Sequence, residues 1–201
     1  MGKVMILNGS PRAPKSNSKI YSDIFRKYCK LDTEYFNILK TNHKDLCEKI
    51  GEFSDVLVVF PLYADSLPVT LLNFLKNLEL NPPEKKPVIS LLVNCGFIEY
   101  QQNDIAVKMM EQFCKKNEYK MGSVLKIGSG EAILTTVFNV LVKMKIRRLA
   151  YSVANKKYKT FTLTMPLSKR SFIKASTKYW DNYGKNNGVT HEEMDTMNIE
   201  S

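Results

Sequence analysis

KVMILN (Lys3–Asn8), followed by GSPRAPKSNS (Gly9–Ser18), is the stretch of sequence that decides the fold. Its first part is a short apolar run typical of a buried β-strand. Apolar residues then recur three or four positions apart, as in a helix, at Ile20, Ile24, Tyr28 and Leu31. A buried strand that ends in a loop of hydroxyl, amide and glycine residues before a helix is typical of a phosphate-binding loop.

The loop is neither of the two common nucleotide-binding motifs. It lacks the Gly-Lys-Ser/Thr of a Walker A motif, and it has one glycine where the dinucleotide fingerprint has three. Ser10, Ser16, Asn17 and Ser18 can donate hydrogen bonds to phosphate oxygens, and Arg12 adds positive charge. The alternative is that Ser16 or Ser18 is simply the N-cap of the following helix.

The rest of the chain alternates between strand and helix patterns. Four further apolar runs predict strands at Glu34–Leu39, Asp55–Phe60, Pro87–Cys95 and Ser123–Ile127. Helical patterns lie after them at Thr41–Phe53, Val69–Leu78, Asp104–Lys116 and about 133–154. This order predicts a five-stranded, doubly wound parallel sheet of the α/β class with helices on both faces, either Rossmann-like or flavodoxin-like.

Ligands of such sheets bind beyond the carboxyl ends of the strands, so the residues after the third and fourth strands are candidates. Tyr63 offers a flat face for a flat ligand, although its loop can also simply cover the core. After the fourth strand, Asn94 and Glu99 offer polar groups and Gly96 permits close approach of the backbone. Cys95 is a candidate nucleophile, but no histidine partner is evident.

Composition limits the class of protein. The 201 residues fit one domain, and four scattered cysteines without metal-ligand spacing argue against a structural metal or an iron–sulfur cluster. The free thiols, with no secretion signal and no apolar run long enough to span a membrane, predict a cytoplasmic protein.

The net charge of +10 is concentrated in one part of the chain. No Asp or Glu lies between Glu131 and Asp181, and eleven cations lie there: Lys143, Lys145, Arg147, Arg148, Lys156, Lys157, Lys159, Lys169, Arg170, Lys174 and Lys178. The simpler interpretation, which we favour at this point, is a solvated face with a basic rim that attracts the phosphates of NADPH. The alternative is weak contact of Ile133–Lys178 with an anionic membrane, and no standard nucleic-acid motif is present.

Four motifs together resemble the flavodoxin-like superfamily of NAD(P)H-dependent FMN reductases and quinone reductases. They are NGSPRAPKSNS (Asn8–Ser18), FPLYADSLP (Phe60–Pro68), VNCGFIEYQQN (Val93–Asn103) and IGSGEA (Ile127–Ala132). The resemblance covers about residues 3–132 and implies strand order 2-1-3-4-5. Together with the chain length, it predicts a single flavodoxin-like domain over residues 1–201, on which a basic C-terminal extension and last helix, residues 156–201, pack.

The resemblance implies a role for each candidate residue. Ser10, Arg12, Ser16, Asn17 and Ser18 would bind the FMN phosphate; Pro61, Leu62, Tyr63 and Ala64 would lie along the ring and ribityl chain; Asn94, Cys95, Gly96 and Glu99 would meet the polar edge of the ring. NAD(P)H would pass a hydride to FMN, and a small-molecule quinone, flavin, nitro or azo acceptor would take the electrons. No catalytic side chain and no metal is required, and relatives of this kind imply a homodimer.

The alternative function is that of a flavodoxin-like electron carrier without its own NAD(P)H site. Flavodoxins are typically acidic, so the net charge of +10 disfavours this alternative. Backbone N–H groups near Tyr63 and Gly96 are candidates for stabilising negative charge on the ring.

Overall fold

A computed structural model describes residues 2–196. Six parallel strands form one sheet in the order β2-β1-β3-β4-β5-β6. The strands are β1 Lys3–Asn8, β2 Asp32–Asn37, β3 Asp55–Pro61, β4 Val88–Asn94, β5 Met121–Ile127 and β6 Thr160–Leu163. The predicted α/β class and the order 2-1-3-4-5 are confirmed, whereas the predicted number of five strands is wrong.

The sixth strand continues the sheet beyond β5. Its four residues pair in parallel with β5, from Val124 opposite Thr160 to Ile127 opposite Leu163. The apolar pattern missed it because its sequence, TFTL, is short, alternates with threonine and follows lysines. Residues 160–163 therefore belong to the sheet, although they lie in the stretch that the sequence assigned to a C-terminal extension.

Helices cover both faces of the sheet. They are α1 Asn17–Tyr28, α2 His43–Ile50, α3 Val69–Leu80, α4 Asp104–Lys116, α5 Ala132–Thr135 and α6 Asn139–Ala154. On one face α2, α3 and α4 pack on the apolar side chains of β1, β3 and β4. On the other face α1 and α6 pack against each other. Because both faces are covered, the central strands are almost entirely buried.

Two predicted helices differ from those observed. The helix expected over about 133–154 is interrupted at residues 136–138, where the backbone of Thr136 is extended. Its β-branched residues Thr135, Thr136 and Val137 lower the helix propensity at this point. The helix expected over residues 41–53 is shorter, and the Asn42 side chain accepts a hydrogen bond from the Leu39 N–H instead of capping it.

The chain divides into two compact units, the first ending at Met165 and the second beginning at Pro166. The second contains α7, Lys169–Asn186, and α8, His191–Asp195. Ser168 caps α7, and a capping box between Thr190 and Glu193 lies at the start of α8. The expected packing of residues 156–201 on a single domain stays a prediction. In residues 2–196, no helix combines the length and the apolar character needed to cross a bilayer.

Candidate functional site

A cleft of about 580 Å³ lies at the carboxyl ends of β1, β3 and β4. The strand register brings the three loops together, because Asn8 pairs with Val59 and Pro61 pairs with Asn94. The cleft is therefore built by the residues that follow neighbouring strands of one sheet, which is where ligands of open α/β sheets bind. Its volume falls within the range of about 300–1,000 Å³ typical of small-molecule pockets.

The buried side chain of Asn8 orders the loop after β1. Its Oδ1 accepts a hydrogen bond from the Ser10 N–H at 2.9 Å. Its Nδ2 donates to Ser16 Oγ at 3.2 Å and to the Tyr35 hydroxyl at 2.8 Å. A buried amide must find partners, and here those partners are the two ends of the loop and the next strand. The sequence places Asn8 in the motif Asn8–Ser18 but gives it no role of its own, because the partners of its amide lie in other parts of the chain.

The backbone of this loop presents a row of hydrogen-bond donors. Among residues 2–196, no acceptor is found for the four consecutive backbone N–H groups of residues 15–18. The last two open α1, whose first turn contains no acidic side chain. Such unpaired N–H groups at a helix N-terminus carry partial positive charge and favour an anion.

Ser16 is the N-cap of α1, as one of the two sequence interpretations expected. Its Oγ accepts hydrogen bonds from the Lys19 N–H at 3.2 Å and from the Asn8 amide at 3.2 Å. A hydroxyl has two acceptor lone pairs and one proton to donate, so these bonds leave the proton. Capping and ligand binding are therefore compatible at Ser16.

Ser18 is buried, lines the cleft, and has no hydrogen-bond partner for its Oγ among the described residues. An unsatisfied buried hydroxyl costs about 1–3 kcal/mol, so this atom fits a ligand that supplies the missing acceptor. Arg12, Lys15 and Lys19 line the same part of the cleft. Lys19 also pairs with Asp23 at 2.6 Å, which fixes its ammonium at the first turns of α1.

The loop after β3 contributes Leu62 and Tyr63 to the lining of the cleft. The Leu62 N–H donates to the Asn94 carbonyl at 2.7 Å, which joins this loop to the end of β4. Tyr63 and Ser66 exchange two backbone hydrogen bonds, of 3.0 and 2.9 Å, across a tight turn. Ala64 and Asp65 at the tip have φ angles of 44° and 54°, as a type I′ turn requires. The Tyr63 side chain is 44% exposed and lines the cleft, whereas Ala64 does not line it.

The end of β4 supplies the floor. The Asn94 Nδ2 donates to the Phe60 carbonyl at 3.1 Å. Gly130 packs directly against this side chain, since a Cβ there would lie 2.8 Å from Asn94 Oδ1. The Gly130 N–H donates to the Cys95 carbonyl at 2.7 Å, and the Tyr21 hydroxyl donates to the Gly130 carbonyl at 2.5 Å. The loop after β5 thus fixes Asn94.

Cys95 is buried beside Asn94, and its thiol is neutral. Burial raises the pKa of Cys95, although contacts with Phe97 and Asn103 partly oppose this effect. The Asn103 amide donates to the sulfur at 3.4 Å. A nucleophilic cysteine needs a lowered pKa, so this environment does not support the nucleophile alternative.

Most of the predicted site residues meet in the cleft. It is lined by Ser10, Arg12, Ser16, Asn17, Ser18, Pro61, Leu62, Tyr63, Asn94, Cys95 and Gly96. Glu99 is half-buried outside the lining, and Glu131, which the sequence reading did not select, lines it. At Gly96 an added Cβ would meet no atom within 4 Å, so its backbone faces open space. The binding roles of these residues stay predictions.

Solved structures of similar fold include flavoproteins and reductases. One is a flavodoxin of Fusobacterium nucleatum bound to flavin mononucleotide (15% identity, 79% of this chain and 100% of that chain, TM-score 0.56). Another is an NADPH-quinone reductase from P. pentosaceus (12% identity, 75% and 98%, TM-score 0.57). A third is an azoreductase of Bacillus anthracis (16% identity, 78% and 100%, TM-score 0.52).

No protein-family model and no curated protein matches the sequence. At identities of 12–16% the solved structures establish the fold and nothing finer. The strand order found here and these similarities agree with the resemblance seen in the four motifs. The chain therefore has a flavodoxin-like fold, extended at the sheet edge by a sixth strand.

Proposed function

We propose that this chain binds FMN in the cleft and acts as an NAD(P)H-dependent oxidoreductase toward a small-molecule acceptor. The observation that carries the proposal is the row of N–H groups at residues 15–18 beside the hydroxyl of Ser18, none of which has a partner within residues 2–196. The residues that carry these donors line the cleft together with Arg12 and Lys19. A phosphate ester accepts several hydrogen bonds and carries negative charge, so it suits this set of donors and cations.

The remainder of the cleft fits the rest of FMN. Pro61, Leu62 and Tyr63 form a wall with a large apolar and aromatic surface, which suits a flat ring. Asn94 and Gly96 also line the cleft and offer polar groups to a heterocycle edge. When bound, FMN supplies the hydride-transfer chemistry, and the protein supplies position and electrostatics.

The chain's own residues have limited but specific tasks. The donors of residues 15–18 and Arg12 hold the phosphate, and the Tyr63 wall orients the ring. The N–H groups of Leu62 and Tyr63 are already bonded to the Asn94 and Ser66 carbonyls, so they are not free to stabilise negative charge on the ring. The Gly96 N–H has no acceptor among the described residues and is the better candidate.

The electron donor, NAD(P)H, and the electron acceptor are proposed from different observations. The exposed Tyr63 leaves the cleft open enough for a second flat molecule, such as a nicotinamide or a quinone, to approach. Two of the structures of similar fold are a quinone reductase and an azoreductase, which supports quinone- or azo-type acceptors. Cations at the cleft would attract the phosphates of NAD(P)H.

The flavodoxin of similar fold supports the carrier as a second candidate. A carrier would bind FMN in the same cleft without accepting electrons from NAD(P)H. The two candidates are separated by one experiment, because only the reductase needs the nicotinamide to react.

The test is an anaerobic absorbance titration of the purified chain with FMN, followed by NADPH and then by NADH. The reductase predicts saturable perturbation of the flavin spectrum and loss of its visible band with one of the two donors. Binding without loss of the band would replace the reductase by the carrier. Absence of saturable binding would contradict the cofactor itself. The variant Asn77→Ala, on the exposed side of α3, is the control that should bind FMN like the wild type.

A further inference from the structure

The outer side of α6 carries an unusual combination of apolar and basic side chains. Val140, Met144 and Tyr151 are 61%, 42% and 58% exposed, and they lie along one side of the helix. The opposite side, with Val142, Ile146 and Leu149, is fully buried against the core. Exposed apolar side chains in line on a helix mark a contact surface more often than isolated ones do.

Cations surround this apolar line. Lys143, Arg147 and Arg148 lie on the same exposed side of α6. We call the surface formed by Val140, Lys143, Met144, Arg147, Arg148 and Tyr151 the α6 face. A cavity of about 540 Å³ at its end is lined in addition by Lys157, Lys159 and Phe161.

Within the part of the chain that the structure describes, these cations form no ion pair. The sequence has no Asp or Glu between Glu131 and Asp181, so no neighbouring carboxylate along the chain is available to them. A patch of unpaired cations attracts an external anion.

The cleft does not account for this charge. The cations that line the cleft are Arg12, Lys15 and Lys19, and none of the eleven cations between Glu131 and Asp181 lines it. Lys157 and Lys159 precede β6, so they lie toward the amino ends of the parallel strands, opposite the cleft. The eleven cations between Glu131 and Asp181 therefore do not form a basic rim in the lining of the cleft.

We propose that the α6 face docks on the surface of an anionic lipid bilayer. Val140, Met144 and Tyr151 would enter the boundary between headgroups and acyl chains, and the flanking lysines and arginines would contact lipid phosphates. A helix with an apolar line and basic flanks is the pattern of peripheral membrane helices. Each Lys or Arg near an anionic surface adds to the attraction, and salt screens it.

Two other occupants fit this surface less well. A second copy bound through the same face would place Arg147 and Arg148 against like charges, with no carboxylate on the face to offset them. A nucleic acid would use the cations but would leave the apolar side chains in water. The homodimer implied by the resemblance would accordingly use another surface.

The test is co-sedimentation of the full chain with vesicles of phosphatidylcholine alone or with about 30% phosphatidylglycerol, at low and moderate salt. We expect binding only to the anionic vesicles, weaker at moderate salt. The double variant R147E/R148E should lower the partition coefficient at least ~10-fold. The control K108E/K115E changes the net charge equally on the exposed side of α4 and should keep most of the binding.

The double variant Met144→Ser/Tyr151→Ser tests the apolar line. It should bind anionic vesicles more weakly than the wild type does, while its thermal unfolding is unchanged. No binding at low salt would overturn the proposal. An equal loss of vesicle binding in R147E/R148E and K108E/K115E would also overturn the proposal, because net charge alone would then explain the binding. Binding of a fluorescent single-stranded oligonucleotide in place of vesicles would assign the face to nucleic acid. None of these measurements involves FMN, so they are independent of the proposed function.

Discussion

The cleft and the α6 face are both basic, but they present their positive charge in different ways. In the cleft, backbone N–H groups of residues 15–18 and the Ser18 hydroxyl are held in place by α1 and by the Asn8 side chain. On the α6 face the charge is carried by exposed side chains beside an apolar line. Fixed donors suit one phosphate in one position, whereas exposed side chains suit a surface of many anions.

Asn8→Ala should have the largest effect on the cleft. It removes hydrogen bonds to the Ser10 N–H, Ser16 Oγ and the Tyr35 hydroxyl, and it leaves the buried Ser10 N–H without this partner. We expect the free energy of unfolding to fall by about 2–4 kcal/mol and FMN affinity to fall by more than about 100-fold.

Urea unfolding and FMN titration measure the two effects of Asn8→Ala. Asn77→Ala, whose amide bonds only within its own helix, is the matched control. Unchanged FMN affinity in a folded Asn8→Ala variant would mean that the donors of the cleft do not depend on this scaffold.

Ser18→Ala separates binding from stability. The variant removes a buried hydroxyl that has no partner among the described residues, so the free protein should be as stable as the wild type or slightly more stable. FMN affinity should fall by about 10- to 100-fold, because a hydrogen bond to a charged group is lost.

Ser22→Ala is the control on the same helix. Ser22 is also buried, but its Oγ donates to the Ser18 carbonyl at 2.7 Å. This variant should lower the free energy of unfolding with little effect on FMN. If both serine variants behaved alike, the unpartnered Ser18 hydroxyl would have no role in binding.

Arg12→Ala should have a smaller effect, because exposed charges contribute little in water. We expect FMN affinity to fall by about 2- to 5-fold and to depend less on salt. R147E/R148E should leave FMN affinity unchanged, and Arg12→Ala should leave vesicle binding unchanged. A cross-effect of either variant on the other ligand would remove the distinction between the two basic regions.

Cys95→Ala should have the smallest effect. Burial raises the pKa of Cys95, so the thiol is protonated at neutral pH and contributes no charge to the cleft. FMN affinity and the rate of flavin reduction should each change by less than about 3-fold. The buried neutral thiol favours the folded state at neutral pH, and this contribution is lost as pH rises above the pKa of the unfolded thiol, about 8.5. A large loss of reduction in the alanine variant would contradict the neutral-thiol interpretation.

The central architecture was predictable from the sequence because its signals are strong. Buried parallel strands are continuous apolar runs, and Asp104–Lys116 was found with its observed ends from its helical spacing. The sixth strand was not predictable from the sequence, because a four-residue edge strand rich in threonine has no continuous apolar run. The break before α6 was not predictable either, because Thr136 and Val137 disfavour a helix only weakly. Packing in the folded protein decides where the helix is interrupted.

The site was predictable as a set of strand ends but not in detail. Pro61 and Asn94 reach the cleft because they end β3 and β4, and Tyr63 reaches it two residues after β3. Ala64 and Glu99 do not line the cleft. Ala64 lies at the tip of a turn, and Glu99 lies beyond the bend that begins at Gly96. Asn8 acts through hydrogen bonds to residues distant in sequence, which no local pattern reveals.

The hydrogen bonds at the base of the cleft bear on how fast a ligand enters. The Gly9 N–H donates to the Val59 carbonyl at 2.9 Å, and the Leu62 N–H donates to the Asn94 carbonyl at 2.7 Å. Each wall is thus tied to the next strand, and separating the walls would break the sheet itself. Entry therefore needs no hinge, and FMN association should follow a single exponential whose rate rises linearly with concentration.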